Sequence, residues 1–461
     1  MFKTCYLTAR RFAPEPALAW IDRIENSPLG SRLVLGVFWS AIGAVVSRSL
    51  ALVAGIVIAR LIGKAAFGEY GVIQSTLSMF SAFAMFGVGL TATKHIAEFR
   101  RADPERTGRI VGMSYGLALL SGLAVGLLML VAAPLVAEKC LAAPHLAGMV
   151  AISSISLVFL VLSEAQVAIL SGLEAFRRRS LLQVYGGIAG FPISVIGVYF
   201  FGLTGAVGAL AVSLGVMALL NSQGIGKESA LAAIPIRWTG FHKEMGLVWR
   251  FNVPTLLCSS VYVPSMWLAN LFLVNAPNGY AQMGLFTAAD RWRTAIGFLP
   301  SLLGGVALPM LSTMSGEPDS HRFAKLLRAN VAISCLISST VALPVAALAP
   351  WIMRSYGADF TDGRWVLVIL CATAVTHAAY WIIGQSLVSK GRVWTIFRMN
   401  LGWAVLLVGT TWFLRGHGAL GLATAYLAAD AFRLGAGFLV TRCWLRQSSL
   451  SAVPDDAESR R

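Results

Sequence analysis

Three observations predict an all-α integral membrane protein of about twelve transmembrane helices in two six-helix bundles. Of the 461 residues, 57% are hydrophobic and 13% charged, whereas an ordinary soluble domain carries roughly a quarter charged residues. The apolar residues come in runs of about twenty, the length a helix rising 1.5 Å per residue needs to cross roughly 30 Å of hydrocarbon. Lysine and arginine gather in alternate connections between those runs, as in a chain that crosses a bilayer repeatedly. In lipid a continuous helix satisfies its own backbone, so runs this long and uniformly apolar are helices and not barrel strands.

Taken in order, the runs predict helices over 33–59, 71–93, 110–137, 148–170, 181–201 and 205–222, then 251–274, 284–313, 329–348, 365–387, 396–414 and 421–440. The implied organisation is an N-terminal segment (1–32), a six-helix bundle (33–222), a linker (223–250), a second six-helix bundle (251–440) and a tail (441–461). The first 32 residues mix charges and prolines (Arg10, Arg11, Pro14, Pro16, Asp22, Arg23) and lack the apolar core of a signal peptide, so they read as a cytoplasmic lead-in. Cys5, Cys140, Cys258, Cys335, Cys371 and Cys443 show no metal-ligand spacing and read as free thiols.

Orientation follows from the basic residues. Lys3, Arg10, Arg11, Arg23 and Arg32 precede the first helix; Lys94, Arg100, Arg101, Arg106 and Arg109 follow the second; Arg177, Arg178 and Arg179 follow the fourth. The linker, the 322–328 and 390–398 connections and the tail add more on that side, while the opposite connections hold Arg60, Lys64, Lys139, Arg354, Arg364 and Arg415. Both termini are therefore expected in the cytoplasm. The net charge of +16 is then mostly a topology signal toward anionic lipid, and nucleic acid is not an expected partner.

The halves look weakly repeated. Phe67-Gly68-Glu69-Tyr70-Gly71 leads into the second helix and Tyr280-Ala281-Gln282-Met283-Gly284 into the eighth. Two bundles of this kind suit a transporter whose central cavity opens alternately to either side. No P-loop, Gly-x-Ser-x-Gly or His-Glu-x-x-His is present, so neither an enzyme nor a cofactor or metal site is expected.

The informative residues are the ionisable ones inside predicted helices, because each costs roughly 3 kcal/mol or more at the bilayer centre unless it faces protein or water. They are Arg48, Glu164, Asp290, Arg291, Arg293, Asp430 and Arg433. Arg48 sits near mid-membrane and reads as cavity-lining or as a structural pair, though pairing with Glu164 would need a tilted or broken helix. Asp290 with Arg293, and Asp430 with Arg433, share the i, i+3 spacing of an intrahelical ion pair or could serve a cavity. Arg291 is left over in its helix, and an unmatched guanidinium suits phosphate or carboxylate oxygens. Trp267 and Trp292 either stack on a sugar ring or pack, and His377 is either structural or a proton relay.

Several segments resemble the polysaccharide transporter (Wzx-type O-antigen flippase) family. They are Ala59-Arg60-Leu61-Ile62-Gly63 with Phe67-Gly68-Glu69-Tyr70-Gly71, Ala97-Glu98-Phe99-Arg100, Gly284-Leu285-Phe286-Thr287-Ala288-Ala289-Asp290-Arg291, Leu299-Pro300 to Leu308-Pro309, and Tyr356-Gly357-Ala358-Asp359-Phe360. Lys64 departs from the pattern, standing where proline often follows the glycine. The resemblance implies the multidrug/oligosaccharidyl-lipid/polysaccharide exporter fold and flipping of undecaprenyl-diphosphate-linked oligosaccharides across the bacterial inner membrane for O-antigen, capsule or exopolysaccharide. Arg291 is carried over by motif position; Arg48, Arg293 and Arg433 rest on depth alone. Expected partners are the polyprenyl-diphosphate-linked glycan, membrane lipid, a polysaccharide polymerase with its assembly proteins, and H+ or Na+ as coupling ion. The competing readings are a drug or cation antiporter on the same fold and a membrane polysaccharide polymerase or glycosyltransferase.

Overall fold

A computed structural model describes residues 28–85, 88–238, 244–313, 320–389 and 392–450. The elements are α1 (Pro28–Ala84), α2 (Val88–Phe99), α3 (Pro104–Leu135), α4 (Ala147–Gly172), α5 (Phe176–Leu231), α6 (Met245–Val274), α7 (Gly279–Thr313), α8 (Ser320–Ala347), α9 (Ala349–Tyr356), α10 (Arg364–Ser389), α11 (Val393–Leu414) and α12 (Gly418–Leu450). Among the described residues, seven helical stretches are long and apolar enough to cross a membrane. The fold is all-α and multi-span.

α1 and α5 are each longer than a bilayer is thick, and each turns at one glycine. Gly63 has φ 82° and Gly202 φ 57°, a left-handed backbone that a side chain would strain. These turns lie where the sequence places the connections after the first and fifth helices. The connection after the sixth is shorter than expected: α5 runs on to Leu231 and α6 begins at Met245. The reason is polar capping beyond the apolar run, where Arg178 Nε donates to Glu228 Oε1 across the two arms of α5.

α3 shows why the bundle belongs in lipid. Its inner face carries Gly122 and Gly126, which lie close against Val158 and Ser154 of α4, while Leu123, Leu127 and Val131 face outward and exposed. Small residues inside and leucines outside is the membrane pattern, since contact between helices there depends on close packing and not on hiding leucine from water. Tyr199, Phe200, Phe201, Trp351, Trp365 and Trp412 are exposed near helix ends, where aromatic residues suit a membrane–water interface. The start of α3 is fixed by Asp103, whose carboxylate accepts from Arg106 N at 2.8 Å ahead of Pro104.

The segment between α5 and α6 is clamped onto α3. Arg237 N donates to Gly108 O (3.2 Å), Arg237 pairs with Glu105 (2.9 Å), and the Trp238 ring lies tilted 5.7 Å from Tyr115. The interfacial helix suggested for Trp238, Phe241 and Met245 falls partly on 239–243, outside the described residues. Glu244 is buried against Arg106 (3.1 Å) and Arg109 (3.6 Å). Because both arginines keep some solvent access, Glu244→Gln is expected to cost about 1–2 kcal/mol, less than a fully buried pair. The check is a fall of several degrees in the apparent melting temperature of the solubilised protein.

Of the cysteines, Cys140, Cys335 and Cys371 are free thiols. Cys5 and the side chains of Cys258 and Cys443 lie outside the described residues, as do most of the N-terminal segment and the end of the tail.

Candidate functional site

A cavity of about 360 Å3 opens between α1, α6, α7 and α12. Its charged lining is Arg48, Asp290 and Arg291, and its uncharged polar lining includes Gln74 and Asn270. Arg48 Nη1 donates to Thr294 O at 3.2 Å and its guanidinium lies 4.1 Å over Phe298. Arg291 Nη2 donates to Gln74 Oε1 at 3.2 Å, and the cation stands 5.5 Å from the Phe67 ring and 5.9 Å from the Tyr70 ring. Its Nε is buried without a hydrogen-bond partner. Neither Arg48 nor Arg291 has a carboxylate partner among the described residues, so both charges remain uncompensated.

Asp290 is different. It accepts from Arg293 Nε one turn along, and Arg293 lies 5.5 Å over Tyr426. The α7 group thus holds one ion pair, Asp290 with Arg293, and Arg291 stands outside it. Arg293 stands behind the cavity wall formed by Asp290 and Tyr426. Trp267 lines the cavity and donates from Nε1 to Thr76 Oγ1 at 3.0 Å, whereas Trp292 points away and donates to Tyr356 Oη at 3.2 Å.

Two other expected residues lie elsewhere. Glu164 does not meet Arg48: it sits on an exposed face of α4, and the basic group acting on it is Arg179, whose Nη1 donates to Ser171 Oγ at 2.9 Å. Arg433 is 3% exposed and forms a separate cluster with Asp430 (2.8 Å) and His377 (3.0 Å). Its guanidinium is 4.1 Å over Tyr380, 5.1 Å over Trp403 and 5.5 Å over Tyr262, and Trp403 Nε1 donates to Asp430 at 2.8 Å.

Sequence reasoning passed over Gln74, Asn270 and Thr287. Asn270 Oδ1 and Thr287 Oγ1 are buried without partners at the cavity. A single amide or hydroxyl in an apolar run carries little signal. What could have marked Asn270 and Thr287 is their position about one turn from Trp267 and Arg291 on the same helix face; Gln74, on α1, had no such neighbour.

The two segments that resemble each other pack side by side, and Gly71 and Met283 from them line the cavity. A Cβ at Gly68 would lie 1.9 Å from Tyr280 O, and one at Gly284 would lie 2.1 Å from Lys64 O. Phe67, Tyr356 and Phe360 pack around this contact, Tyr280 Oη donates to Leu141 O at 2.6 Å, and Arg60 Nε donates to Ser355 O.

The described residues form an all-α multi-span bundle holding a polar cavity lined by two arginines without a carboxylate partner among them. Residues 33–315 match the profile of the family described as "Polysaccharide biosynthesis protein". The chain belongs to this family and is a multi-pass integral membrane protein.

It is 23% identical to the EPS I polysaccharide export inner membrane protein EpsE of Ralstonia solanacearum, over 91% of this chain and 94% of that one. The EpsE of Ralstonia nicotianae matches at 27% over 42% of this chain, which is 44% of that relative's length. The lipid III flippase of Escherichia coli is 22% identical over 85% of this chain and 93% of its own. In fold the chain is similar to an inward-facing multidrug resistance MATE family transporter of the MOP superfamily, with TM-score 0.75 and 16% identity over 88% of this chain and 96% of that one.

Proposed function

We propose that the protein flips undecaprenyl-diphosphate-linked oligosaccharide repeat units from the cytoplasmic to the periplasmic leaflet for surface polysaccharide assembly, by alternating access. The observation that carries this is the pair of uncompensated guanidiniums, Arg48 and Arg291, on the cavity wall. A diphosphate supplies the negative charge they lack, in the planar geometry guanidinium favours. Trp267 offers a ring face and Asn270 and Thr287 offer hydrogen bonds to sugars. Asp290, Arg293, Asp430 and Arg433 are assigned to supporting ion pairs. The polyprenyl tail stays in lipid, so the cavity needs to hold only the polar head.

The proposed topology has twelve crossings in two six-helix bundles with both termini cytoplasmic. α1 and α5 each cross twice by turning at Gly63 and Gly202, and α2 completes the second crossing. The basic connections support the orientation.

A second reading is antiport of a drug or cation on the same fold. The likeness in fold to multidrug transporters supports it at least as strongly as it supports flipping. Asp290 and the aromatic and thioether walls (Trp267, Phe286, Tyr426, Met266) would serve such a cargo. The charge of the cavity separates the two, since a cation would meet two unpaired guanidiniums.

Expression in a strain lacking its own flippase, supplied with matched sugar repeats, is expected to restore surface polysaccharide without changing tolerance to cationic dyes. No restoration with any repeat, together with a raised dye tolerance that depends on Asp290, would establish antiport instead.

A further inference from the structure

A second pocket, of about 390 Å3, lies where α2 and α4 end and α3 begins, the full length of α4 away from the paired motifs at Leu141. Its lining is Arg100, Arg101, Pro104, Leu173, Glu228 and Ala232. α4 has 26 residues and is therefore about 39 Å long at 1.5 Å per residue. The hydrocarbon is roughly 30 Å thick, and about 40–45 Å with its headgroups. Leu173, just past the end of α4, thus stands in the headgroup layer, on the side that the proposed topology puts in the cytoplasm.

Most arginines around this pocket have acidic partners. Arg100 donates to Leu173 O at 2.9 Å and pairs with Glu174 at 2.5 Å, capping the end of α4. Arg178 pairs with Glu228 and so balances the one carboxylate on the pocket wall. Arg237 pairs with Glu105, Glu244 takes both Arg106 and Arg109, and the Asp103 carboxylate is spent on Arg106 N. Arg101 is exposed on the pocket wall and has no carboxylate partner among the described residues. Lys227, also exposed, adds charge of the same sign beside Glu228. The surface next to the pocket is apolar: Leu231 is 77% exposed between Glu228 and Ala232, and Leu219 is exposed about three turns back along α5.

We propose that this pocket binds the phosphodiester headgroup of an anionic phospholipid, with Arg101 as its counter-ion. A phosphodiester carries one negative charge, which matches the guanidinium left over, and its oxygens suit the planar guanidinium fork. A zwitterionic headgroup brings its own ammonium and leaves the site with its excess charge. Depth decides between a lipid and a free phosphate, because basic pockets between helices at this level meet acidic headgroups. Leu231 and Leu219 then offer an apolar path for an acyl chain, and Glu228 accepts from the hydroxyls of a glycerol headgroup. The bound lipid bridges the α2–α3 turn and the end of α5, and so stabilises this corner of the fold. The inference is independent of the cargo in the central cavity.

The test uses the full chain, purified in neutral detergent and read by native mass spectrometry with one lipid added at a time. Phosphatidylglycerol, phosphatidylethanolamine and phosphatidylcholine with matched acyl chains are the probes, and inorganic phosphate is the soluble competitor. Phosphatidylglycerol is expected to bind about fivefold or more tightly than either other lipid, the weight of one juxtamembrane cation. That margin should disappear in Arg101→Gln, a change at an exposed, unpaired side chain that the fold tolerates. It should persist in Arg291→Gln, which alters the central cavity, and in Arg354→Gln, which removes an exposed arginine from α9. Inorganic phosphate in excess should leave the lipid in place.

Equal binding of the lipids, or an Arg101→Gln protein that keeps the full margin, overturns the proposal. Displacement by inorganic phosphate overturns it as well, and assigns the pocket to a soluble anion. Because Arg291→Gln is read in the same experiment, loss of anion binding at the central cavity and loss of lipid binding at Arg101 give different results.

Discussion

Arg291→Ala is expected to abolish export of surface polysaccharide while the protein still reaches the membrane in normal amount. The reason is energetic asymmetry. Arg291 hydrogen-bonds neutral groups, Gln74 and Tyr70, and keeps a buried Nε without a partner. Its removal should therefore cost the fold little. A bound diphosphate loses a charge-assisted contact in a desolvated cavity, and truncating one partner of such a pair costs roughly 2–5 kcal/mol, or about 30- to 4,000-fold in affinity. Binding of a short isoprenyl diphosphate to the purified protein measures this directly.

Arg293→Ala should also abolish export, by another route. It strips Asp290 of its partner and leaves a bare carboxylate on the cavity wall, which repels the anion and weakens the protein. Normal diphosphate binding by Arg291→Ala would mean that the anion sits elsewhere. Tighter binding of organic cations by the same variant would favour antiport.

The contrast between these variants shows what the sequence could and could not carry. Hydropathy and basic connections revealed a multi-span helical chain because lipid leaves the backbone few alternatives. The turns at Gly63 and Gly202 coincide with the expected connections, yet the continuous helical run on either side was not legible, since a glycine in an apolar stretch looks the same whether it bends or packs. Intrahelical spacing picked out Asp290 with Arg293 and Asp430 with Arg433, because i, i+3 contacts are local. It could not say which pair borders the cavity, or bring His377 to Arg433 across 56 residues. Nor could it tell that Glu164 stays apart from Arg48, because helix depth alone says nothing about which faces meet.

The repeated motif gives the other large effect. Tyr280-Ala281-Gln282-Met283-Gly284 and Phe67-Gly68-Glu69-Tyr70-Gly71 were singled out for likeness to each other, and they are in contact beside the cavity, at the end that the proposed topology puts outside. Gly68→Val is expected to hold that end open. A Cβ 1.9 Å from the Tyr280 carbonyl oxygen cannot be relieved by a rotamer change, because both parties are backbone. The helices must part, and with them the Phe67, Tyr356 and Phe360 packing and the Tyr280 to Leu141 hydrogen bond. Overpacking of this kind costs about 1–3 kcal/mol in a core, and here the cost falls only on the closed state. It shifts the open to closed ratio about 5- to 150-fold. Impermeant maleimide labelling of a single cysteine placed at Ser75 on the cavity wall, in a cysteine-free background, should rise accordingly. Transport should stop, because a cavity that cannot close outward cannot return to load. Unchanged labelling in a Gly68→Val protein that still exports would place the outer closure away from the paired motifs.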